Sequence, residues 1–148
     1  MTVAPTVHAS AVLAGARAVL IRGPAGSGKS SLALALIRAA QTGLLRFARL
    51  VADDRVHLER CHDRLLVRPA AALAGLIEVR GAGIRRLDHE PVAVVGLLVD
   101  LAADDAARLP ESTETDLCGV RLRRLAIAAG SDPVPPVLAA LRLPDSGH

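Results

Sequence analysis

Short apolar runs, separated by glycines and charged residues, divide the first part of the chain into predicted elements. Residues 17–22 (Arg-Ala-Val-Leu-Ile-Arg) form a run that predicts a buried strand ending at Gly23. Apolar residues at helical spacing then predict a helix over residues 29–41, and Gly43 provides its C-terminal stop. Because a strand, a glycine-containing loop and a helix follow one another, the pattern indicates an α/β protein.

Beyond this helix the pattern favours strands. The run 92–100 is almost continuously apolar, which is typical of a central strand that is buried on both faces. The tail from Pro133 predicts one short helix over residues 137–141, closed by Pro144. The other predicted strands are 50–53, 55–59 paired with 64–68 across a polar turn, 76–79, 84–87 and 117–127. Together these elements predict one α/β domain with a largely mixed sheet.

The composition excludes several classes of protein. The chain is 51% apolar and 22% charged, with a mean hydropathy of +0.38, which excludes a disordered sequence. It has one Phe and no Trp or Tyr, so it lacks the aromatic platforms on which single-stranded nucleic acids stack. The arginines are dispersed, and Arg121, Arg123 and Arg124 are interpreted as one solvated strand face. No stretch reaches the roughly eighteen apolar residues of a membrane span. We therefore expect neither a nucleic-acid partner nor a membrane.

The basic residues single out one lysine, and the cysteines indicate the cellular compartment. Of the 18 basic residues, all but Lys29 are arginines. A net charge of +3 over 148 residues is a weak field and says little about partners. Cys61 and Cys118 lie far apart and without metal-ligand spacing, which predicts two ordinary thiols in a reducing cytoplasm.

The most specific motif follows the run 17–22. It matches the pattern G-x-x-x-x-G-K-[ST] and consists of Gly23, Pro24, Ala25, Gly26, Ser27, Gly28, Lys29 and Ser30. Its glycines let backbone N–H groups turn inward around a phosphate, and the helix that follows adds the positive end of its dipole. In such a loop Lys29 reaches the β- and γ-phosphates of a nucleotide, and the hydroxyl of Ser30 binds Mg²⁺. A flexible turn that matches by coincidence is the alternative.

Two adjacent acids, Asp53 and Asp54, follow the apolar residues 50–52. In P-loop proteins an acid at the end of such a strand holds Mg²⁺ directly or through water. Two neighbouring carboxylates also permit a division of labour, in which one faces the metal and the other accepts a proton from an attacking hydroxyl. An Asp-Asp pair also forms turns and helix caps, so a structural role stays open.

Three further residues are weaker candidates. Glu78 and Arg80 are two positions apart in the stretch 77–84, and on a strand both would point to one face. There Glu78 could reach the metal and Arg80 a phosphate oxygen, although a solvated strand face that enters a glycine turn is the more common reason for such a pair. His8 precedes the first predicted strand, and a lone histidine is more often structural than catalytic.

Together these motifs resemble the catalytic domain of the HPr kinase/phosphorylase family, in the short form typical of alphaproteobacteria. The resemblance rests on four segments, which are 7–10 (Val-His-Ala-Ser), 23–30, 50–56 (Leu-Val-Ala-Asp-Asp-Arg-Val) and 76–84. It implies a P-loop α/β domain related to phosphoenolpyruvate carboxykinase. It also implies that residues 1–148 form one catalytic domain without an N-terminal regulatory domain.

The same resemblance implies an activity. Members of this family use ATP and Mg²⁺ to phosphorylate a serine of the phosphocarrier protein HPr, and use inorganic phosphate to remove that group with release of pyrophosphate. The site residues that it implies are Lys29 on the phosphates, Ser30 and Glu78 on Mg²⁺, Asp53 or Asp54 as the proton acceptor, and His8, Arg80 and Arg108 in catalysis. Of the two acids, Asp54 is favoured. A homo-oligomer is compatible with the resemblance.

Two other functions remain open on the sequence. A P-loop kinase or NTPase for a small molecule would turn over ATP with a metabolite and not with HPr. A module that only senses ATP would bind the nucleotide without catalysis, and it would keep its function when Asp54 is replaced by Asn.

Overall fold

A computed structural model describes residues 6–106 and 113–142 of the chain. Within these ranges there are eleven strands, two α-helices and one 3₁₀ turn at residues 71–73. The strands are β1 (Thr6–His8), β2 (Ser10–Ala14), β3 (Arg17–Arg22), β4 (Ala48–Ala52), β5 (Arg55–Cys61), β6 (Arg64–Pro69), β7 (Leu76–Val79), β8 (Gly83–Arg86), β9 (Ala93–Asp100), β10 (Thr113–Leu117) and β11 (Val120–Ala126). The helices are α1 (Lys29–Gln41) and α2 (Val134–Arg142).

Strand β3 and helix α1 begin and end where the sequence predicts. The helix stops at a Schellman motif, in which Gly43 adopts a φ of +85°. The N–H of Gly43 donates to the carbonyl of Ala40 (3.3 Å), and the N–H of Leu44 donates to that of Ala39 (2.8 Å). Glycine takes this left-handed conformation without strain, so the stop is encoded locally.

Nine strands form one mixed sheet in the order β1-β5-β6-β9-β3-β2-β4, with β11 beside β9 and β10 beside β11. On one side, β9 pairs with β3 in parallel orientation. Its other edge pairs with β6 near Ala93 and with β11 near its carboxyl end, over residues 97–100. The prediction of an α/β domain with a mixed sheet and a central strand at 92–100 is confirmed.

Both faces of the central strands are buried. On one face, Val19 and Ile21 of β3 pack in a core cluster with helices α1 and α2. On the other face, Ala18 and Leu20 pack with Leu65 of β6, because the sheet curls over itself. Successive strand residues point to opposite faces, so burial of both faces requires the unbroken apolar runs seen in β3 and β9.

The remaining predicted elements agree with the structure to within a few residues. Strands β5 and β6 form the predicted hairpin, with His62 and Asp63 as its turn. Helix α2 begins at Val134, and Pro144, which is predicted to close it, lies outside the described residues. Cys61 and Cys118 are free and exposed, as their spacing predicts. Neither helix in the described ranges is long and apolar enough to span a membrane.

Two expectations about strands are wrong. The run 117–127 is not one strand, because Leu117 ends β10 and Val120 begins β11. Between them, Cys118 and Gly119 have φ angles of +53° and +81° and form the tight turn of the hairpin. His8 does not precede the first strand, because it ends β1, which pairs with β5, and β2 then pairs with β3. A pairing with a strand about fifty residues away leaves no local signal in the sequence.

A polar cluster joins the carboxyl ends of β3, β9 and β11. Asp100 accepts hydrogen bonds from Nε and Nη2 of Arg22 (2.7 and 2.9 Å) and from Nε of Arg124 (2.6 Å). Arg124 also donates to both oxygens of Asp105, at 2.8 and 2.9 Å. The expectation of a solvated face is therefore wrong for Arg124, whose side chain is 17% exposed. Burial opposes ionisation of Asp100, but the two guanidinium groups outweigh it and hold its pKa below the usual value.

This cluster predicts an acid-sensitive contribution to stability. The folded pKa of Asp100 lies below its ordinary value of 3.8, so its stabilisation is present above that pH and is lost as the pH falls through the folded pKa. We expect Asp100→Asn to lower the free energy of unfolding at pH 7 by about 1–3 kcal/mol. In urea titrations, the difference in free energy of unfolding between the wild type and this variant should be smaller at pH 3 than at pH 7.

Asp63→Asn, in the exposed β5–β6 turn, is the control and should behave like the wild type at both pH values. An equal difference between wild type and Asp100→Asn at pH 7 and pH 3 would contradict the assignment.

Candidate active site

The candidate site lies at one edge of the sheet, beyond the carboxyl ends of β3 and β4. Strand β2 is antiparallel to both of them, so β3 and β4 run in the same direction. The loop 23–30 leaves β3 at this edge, and Asp53 follows the last residue of β4 at the same edge. Ligands of open α/β sheets bind beyond the carboxyl ends of the strands, so the topology brings the two predicted motifs to a binding edge.

The loop has the backbone of an anion-binding site. Gly26 and Gly28 have φ angles of +79° and +99°, which non-glycine residues rarely adopt. At Gly23 the constraint is close approach, since a Cβ there would lie 2.4 Å from Oγ of Ser27 and 3.0 Å from Cβ of Leu101. No side chain caps the N-terminus of α1 and its first turn carries no acid, so the positive end of the helix dipole faces the loop uncompensated.

Two side chains of the loop add hydrogen-bond donors. The ammonium Nζ of Lys29 donates to the carbonyl oxygens of Gly23 (2.8 Å) and Pro24 (3.2 Å), which places it over the mouth of the loop. Among the described residues, Oγ of Ser27 is the one buried side-chain polar atom without a hydrogen-bond partner. A buried hydroxyl without a partner is destabilising, and a water molecule or a ligand at the loop would satisfy it.

Asp53 lies at the centre of the site and accepts hydrogen bonds from three of its elements. Its carboxylate, in a residue only 4% exposed, accepts hydrogen bonds from the hydroxyl of Ser10 (2.6 Å) and the backbone N–H of Glu78 (3.1 Å). The hydroxyl of Ser30 lies 2.7 and 2.8 Å from its two oxygens. Because Ser30 donates its hydrogen to Asp53, the lone pairs of its oxygen remain available to a cation. Asp53 thus joins β2, α1 and β7 at one point.

Asp54 has the opposite environment. Its backbone adopts a φ of +73°, a conformation that Asp and Asn tolerate better than most residues, and its side chain is 65% exposed. The N–H of Ala9 donates to its carbonyl oxygen at 3.2 Å, which anchors the turn. Nδ1 of His8 lies 4.0 Å from Oδ1 of Asp54. The two adjacent acids are therefore separated into one buried carboxylate and one that faces solvent beside a histidine.

The hairpin formed by β7 and β8 faces the loop across a cavity. The cavity has a volume of about 630 Å³. The predicted site residues that line it are Ala25, Gly26 and Gly28 of the loop together with Lys29, Ser30, Asp54, Glu78 and Arg80. The expectation that Glu78 and Arg80 share a strand face is wrong, because β7 ends at Val79 and Arg80 lies in the turn. Both nevertheless line the same cavity, and the hydrogen bond from Glu78 N–H to Asp53 fixes the hairpin to the site.

One residue of the site is not predicted from the sequence, and one predicted residue lies outside the described ranges. Ser10 has no predicted role, although its burial and its 2.6 Å hydrogen bond make it part of the site. A lone serine beside Ala11 and Val12 is the only signal in the sequence, and a buried hydroxyl of this kind needs a polar partner. Arg108 lies outside the described residues, so its placement in the site stays a prediction.

The donor set fits a magnesium ion. The groups near the loop are hard oxygens, namely the hydroxyl of Ser30, the carboxylate of Asp53 behind it, and Glu78 in the lining of the same cavity. Within residues 6–106 and 113–142 there is no group of three or more His, Cys, Asp or Glu that could hold a metal. Mg²⁺ is usually held by one or two protein oxygens together with phosphate oxygens and water, so an open site of this kind suits it.

Comparison with known proteins agrees with the resemblance noted from the motifs. The chain is 36% identical over 141 residues to an HPr kinase/phosphorylase of Neisseria meningitidis, covering 84% of this chain and 42% of that protein. It is 46% identical over 67 residues to an HPr kinase/phosphorylase of an Exiguobacterium species, covering 45% of this chain and 19% of that protein. The chain thus spans less than half the length of either of these two relatives.

Similarity extends to the fold and to a family model. The structure of the HPr(Ser) kinase/phosphatase from Coxiella burnetii superposes with a TM-score of 0.73 at 24% identity, covering 93% of both chains. This match shows that the two share a fold. A model of the family described as the HPr serine kinase C-terminal domain matches residues 1–89, which include the loop, both acids and the β7–β8 hairpin. The chain therefore belongs to the HPr serine kinase C-terminal domain family.

Proposed function

We propose that this domain transfers the γ-phosphoryl group of ATP to a serine hydroxyl of HPr, with Mg²⁺, and also catalyses the phosphorolytic removal of that group. The observation that carries the proposal is the exposed carboxylate of Asp54 in the cavity of the phosphate-binding loop, separated from the buried Asp53. The family to which the chain belongs supports HPr as the protein substrate.

The loop and its flanking side chains would bind the phosphates and the metal. Backbone N–H groups of residues 23–30 and the N-terminus of α1 supply donors, and Lys29 exchanges its two carbonyl acceptors for oxygens of the β- and γ-phosphates. Ser30 and Glu78 would hold Mg²⁺, while Asp53 fixes the hydroxyl of Ser30. When bound, Mg²⁺ neutralises negative charge on the phosphate oxygens during transfer.

Asp54 would manage the proton. As the serine oxygen of HPr bonds to the γ-phosphorus, the bond from that phosphorus to the bridging oxygen of ADP breaks, and the carboxylate of Asp54 takes the serine proton. In the reverse-type reaction an oxygen of inorganic phosphate attacks the phosphoserine phosphorus. The serine oxygen leaves with the proton of Asp54, and the product is pyrophosphate. His8, 4.0 Å away, is placed to orient the Asp54 carboxylate.

Arginine would complete the positive side of the site. Arg80 lies in the turn after β7 and lines the cavity, where its guanidinium would stabilise charge on the transferring group. Arg108 is proposed for the same purpose on the strength of the family resemblance alone.

Both cysteines are exposed thiols, which supports a reducing, cytoplasmic location for the reaction.

Turnover of ATP with and without HPr tests the proposal. We expect ADP formation by the purified domain to depend on HPr and to saturate with HPr concentration. ADP formation that is unaffected by HPr would favour a kinase or NTPase for a small molecule. Tight binding of ATP with no turnover under either condition would favour a module that only senses the nucleotide.

The phosphorolytic direction makes a separate prediction. Incubation of serine-phosphorylated HPr with the domain, Mg²⁺ and inorganic phosphate should release pyrophosphate and unmodified HPr in equal amounts. The reason is that a cavity which holds the terminal phosphate of ATP beside the serine would also accept inorganic phosphate. An enzymatic pyrophosphate assay measures the product. Release of inorganic phosphate alone, without pyrophosphate, would show hydrolysis and would contradict the phosphorolytic step.

A further inference from the structure

We infer that a second cleft, on the side of the loop away from Asp53, binds the purine base of the nucleotide. The inference rests on the proposed function, in which the loop 23–30 holds the phosphates. The cleft has a volume of about 310 Å³. One wall is formed by residues 24–27 of the loop, and the other by Leu101 and Ala102 after β9 together with residues 127–131 and Pro133 after β11.

The chemistry of the cleft suits an uncharged planar ring. Leu101 and Ile127 are 4% and 6% exposed and form an apolar floor, with Pro24 and Pro133 also in the lining. None of the described lining residues carries a charge. A volume at the lower end of small-molecule sites fits one base better than a whole nucleotide. Without aromatic residues, the ring would be held between aliphatic side chains rather than stacked.

The cleft lies on the opposite side of the loop from the cavity that holds the reacting phosphate, where the other end of a bound nucleotide would lie. The cavity at Lys29, Ser30 and Asp54 and the second cleft share Ala25 and Gly26 in their linings. A nucleoside triphosphate whose γ-phosphate lies beside Asp54 therefore has its other end directed over these two residues. The loop is flanked by acids on the β4 side and by apolar residues on the β9 and β11 side, so the base and the reacting phosphate are assigned to opposite sides.

The far wall of the cleft is held in place by the sheet. The N–H of Leu101 donates to the carbonyl of Arg22 (2.8 Å), and the N–H of Ile127 donates to that of Asp100 (2.8 Å). The ion pairs of Asp100 with Arg22 and Arg124 lie at the same strand ends. Beyond Ile127 the chain turns, with the N–H of Ser131 donating to the carbonyl of Ala128 at 3.1 Å. Because this wall is preformed, binding of a base requires little reorganisation.

Calorimetric titration with Mg-ATP and with magnesium tripolyphosphate, which carries the phosphates without a base, tests the inference. The wild type should bind ATP about tenfold more tightly than tripolyphosphate, which corresponds to about 1.4 kcal/mol. Ala129→Trp, at an exposed position in the lining, should fill the cleft and remove this advantage while leaving tripolyphosphate binding unchanged. Ala16→Trp is the matched control, because Ala16 is exposed in the β2–β3 turn at the opposite end of β3.

Each outcome distinguishes the base site from the proposed function. Equal affinity of the wild type for ATP and tripolyphosphate, or equal weakening of both by Ala129→Trp, would overturn the base site while leaving HPr phosphorylation untouched. Failure of the wild type to bind either compound would overturn both proposals. Preferential ATP binding that is lost in Ala129→Trp, in a domain that never phosphorylates HPr, would support the base site and reject the proposed substrate. The comparison of the two ligands on the wild type does not depend on the folding of any variant.

Discussion

Replacement of Lys29 by alanine is expected to slow phosphoryl transfer to HPr by about 10²–10³-fold. Lys29 supplies the mobile positive charge of the loop, and its ammonium is already placed over the mouth by the carbonyls of Gly23 and Pro24. Its side chain makes no other hydrogen bond described by the structure, so the fold should survive its loss. Rates of ATP-dependent labelling of HPr measure the effect, and circular dichroism measures the fold.

Arg38→Ala is the matched control for Lys29→Ala. Arg38 is an exposed cation in the last turn of the same helix, away from the loop. Removal of its charge should change the labelling rate less than twofold, because an exposed charge at this distance is screened. Full labelling by Lys29→Ala would contradict the assignment of the loop, whatever the control shows.

Asp54→Asn is expected to lower kcat for HPr phosphorylation by about 10²–10⁴-fold, with little change in the affinity for ATP. Asparagine keeps the shape of the side chain and removes its capacity to take a proton. It also tolerates the φ of +73° at this position, whereas alanine would add backbone strain. Steady-state kinetics with HPr as the varied substrate, together with calorimetric titration of ATP, separate the two effects.

Asp63→Asn again serves as the control, because Asp63 is an exposed aspartate in the β5–β6 turn, at the opposite end of β5 from Asp54. Its kcat should equal that of the wild type. If Asp54→Asn retained the full kcat, the proton acceptor would have to be another group, and the separation of roles between Asp53 and Asp54 would fail.

Local signals in the sequence predict the phosphate-binding half of the site. The apolar run of β3, the glycines of the loop, and the helical pattern of α1 up to Gly43 each act over a few residues, so their boundaries agree with the structure. The binding loop is encoded in the same short segment. This part of the site can be predicted because a phosphate-binding loop needs a particular backbone conformation, and that conformation needs glycines at fixed positions.

Contacts between distant segments are what sequence patterns do not predict. Ser10 donates to Asp53, 43 residues away, and Arg124 reaches Asp100 across parallel strands, 24 residues away. The burial of this serine and the partial burial of this arginine become visible only once the sheet has formed, because exposure of either side chain is the default for its type. The same limit explains why β1, which pairs with β5, is not predicted. The break between β10 and β11 is a local turn at Cys118 and Gly119 that the apolar pattern does not mark.

The different environments of the two acids are a finding of the structure. In the sequence, Asp53 and Asp54 are neighbours of the same chemistry. In the fold, Asp53 turns inward to Ser10 and Ser30, and the left-handed turn at Asp54 directs the next carboxylate to solvent beside His8. Both residues lie beyond the last residue of β4, so the turn and not the alternation of a strand separates the two carboxylates.

The most direct test of phosphoryl transfer to HPr is to locate the transferred phosphate by mass spectrometry. Purified domain, ATP, Mg²⁺ and HPr should yield HPr that carries one phosphoryl group on a single serine. HPr in which that serine is replaced by alanine should remain unmodified. HPr that stays unphosphorylated while the domain binds ATP and hydrolyses it, or that carries phosphate on a residue other than serine, would contradict the proposed function.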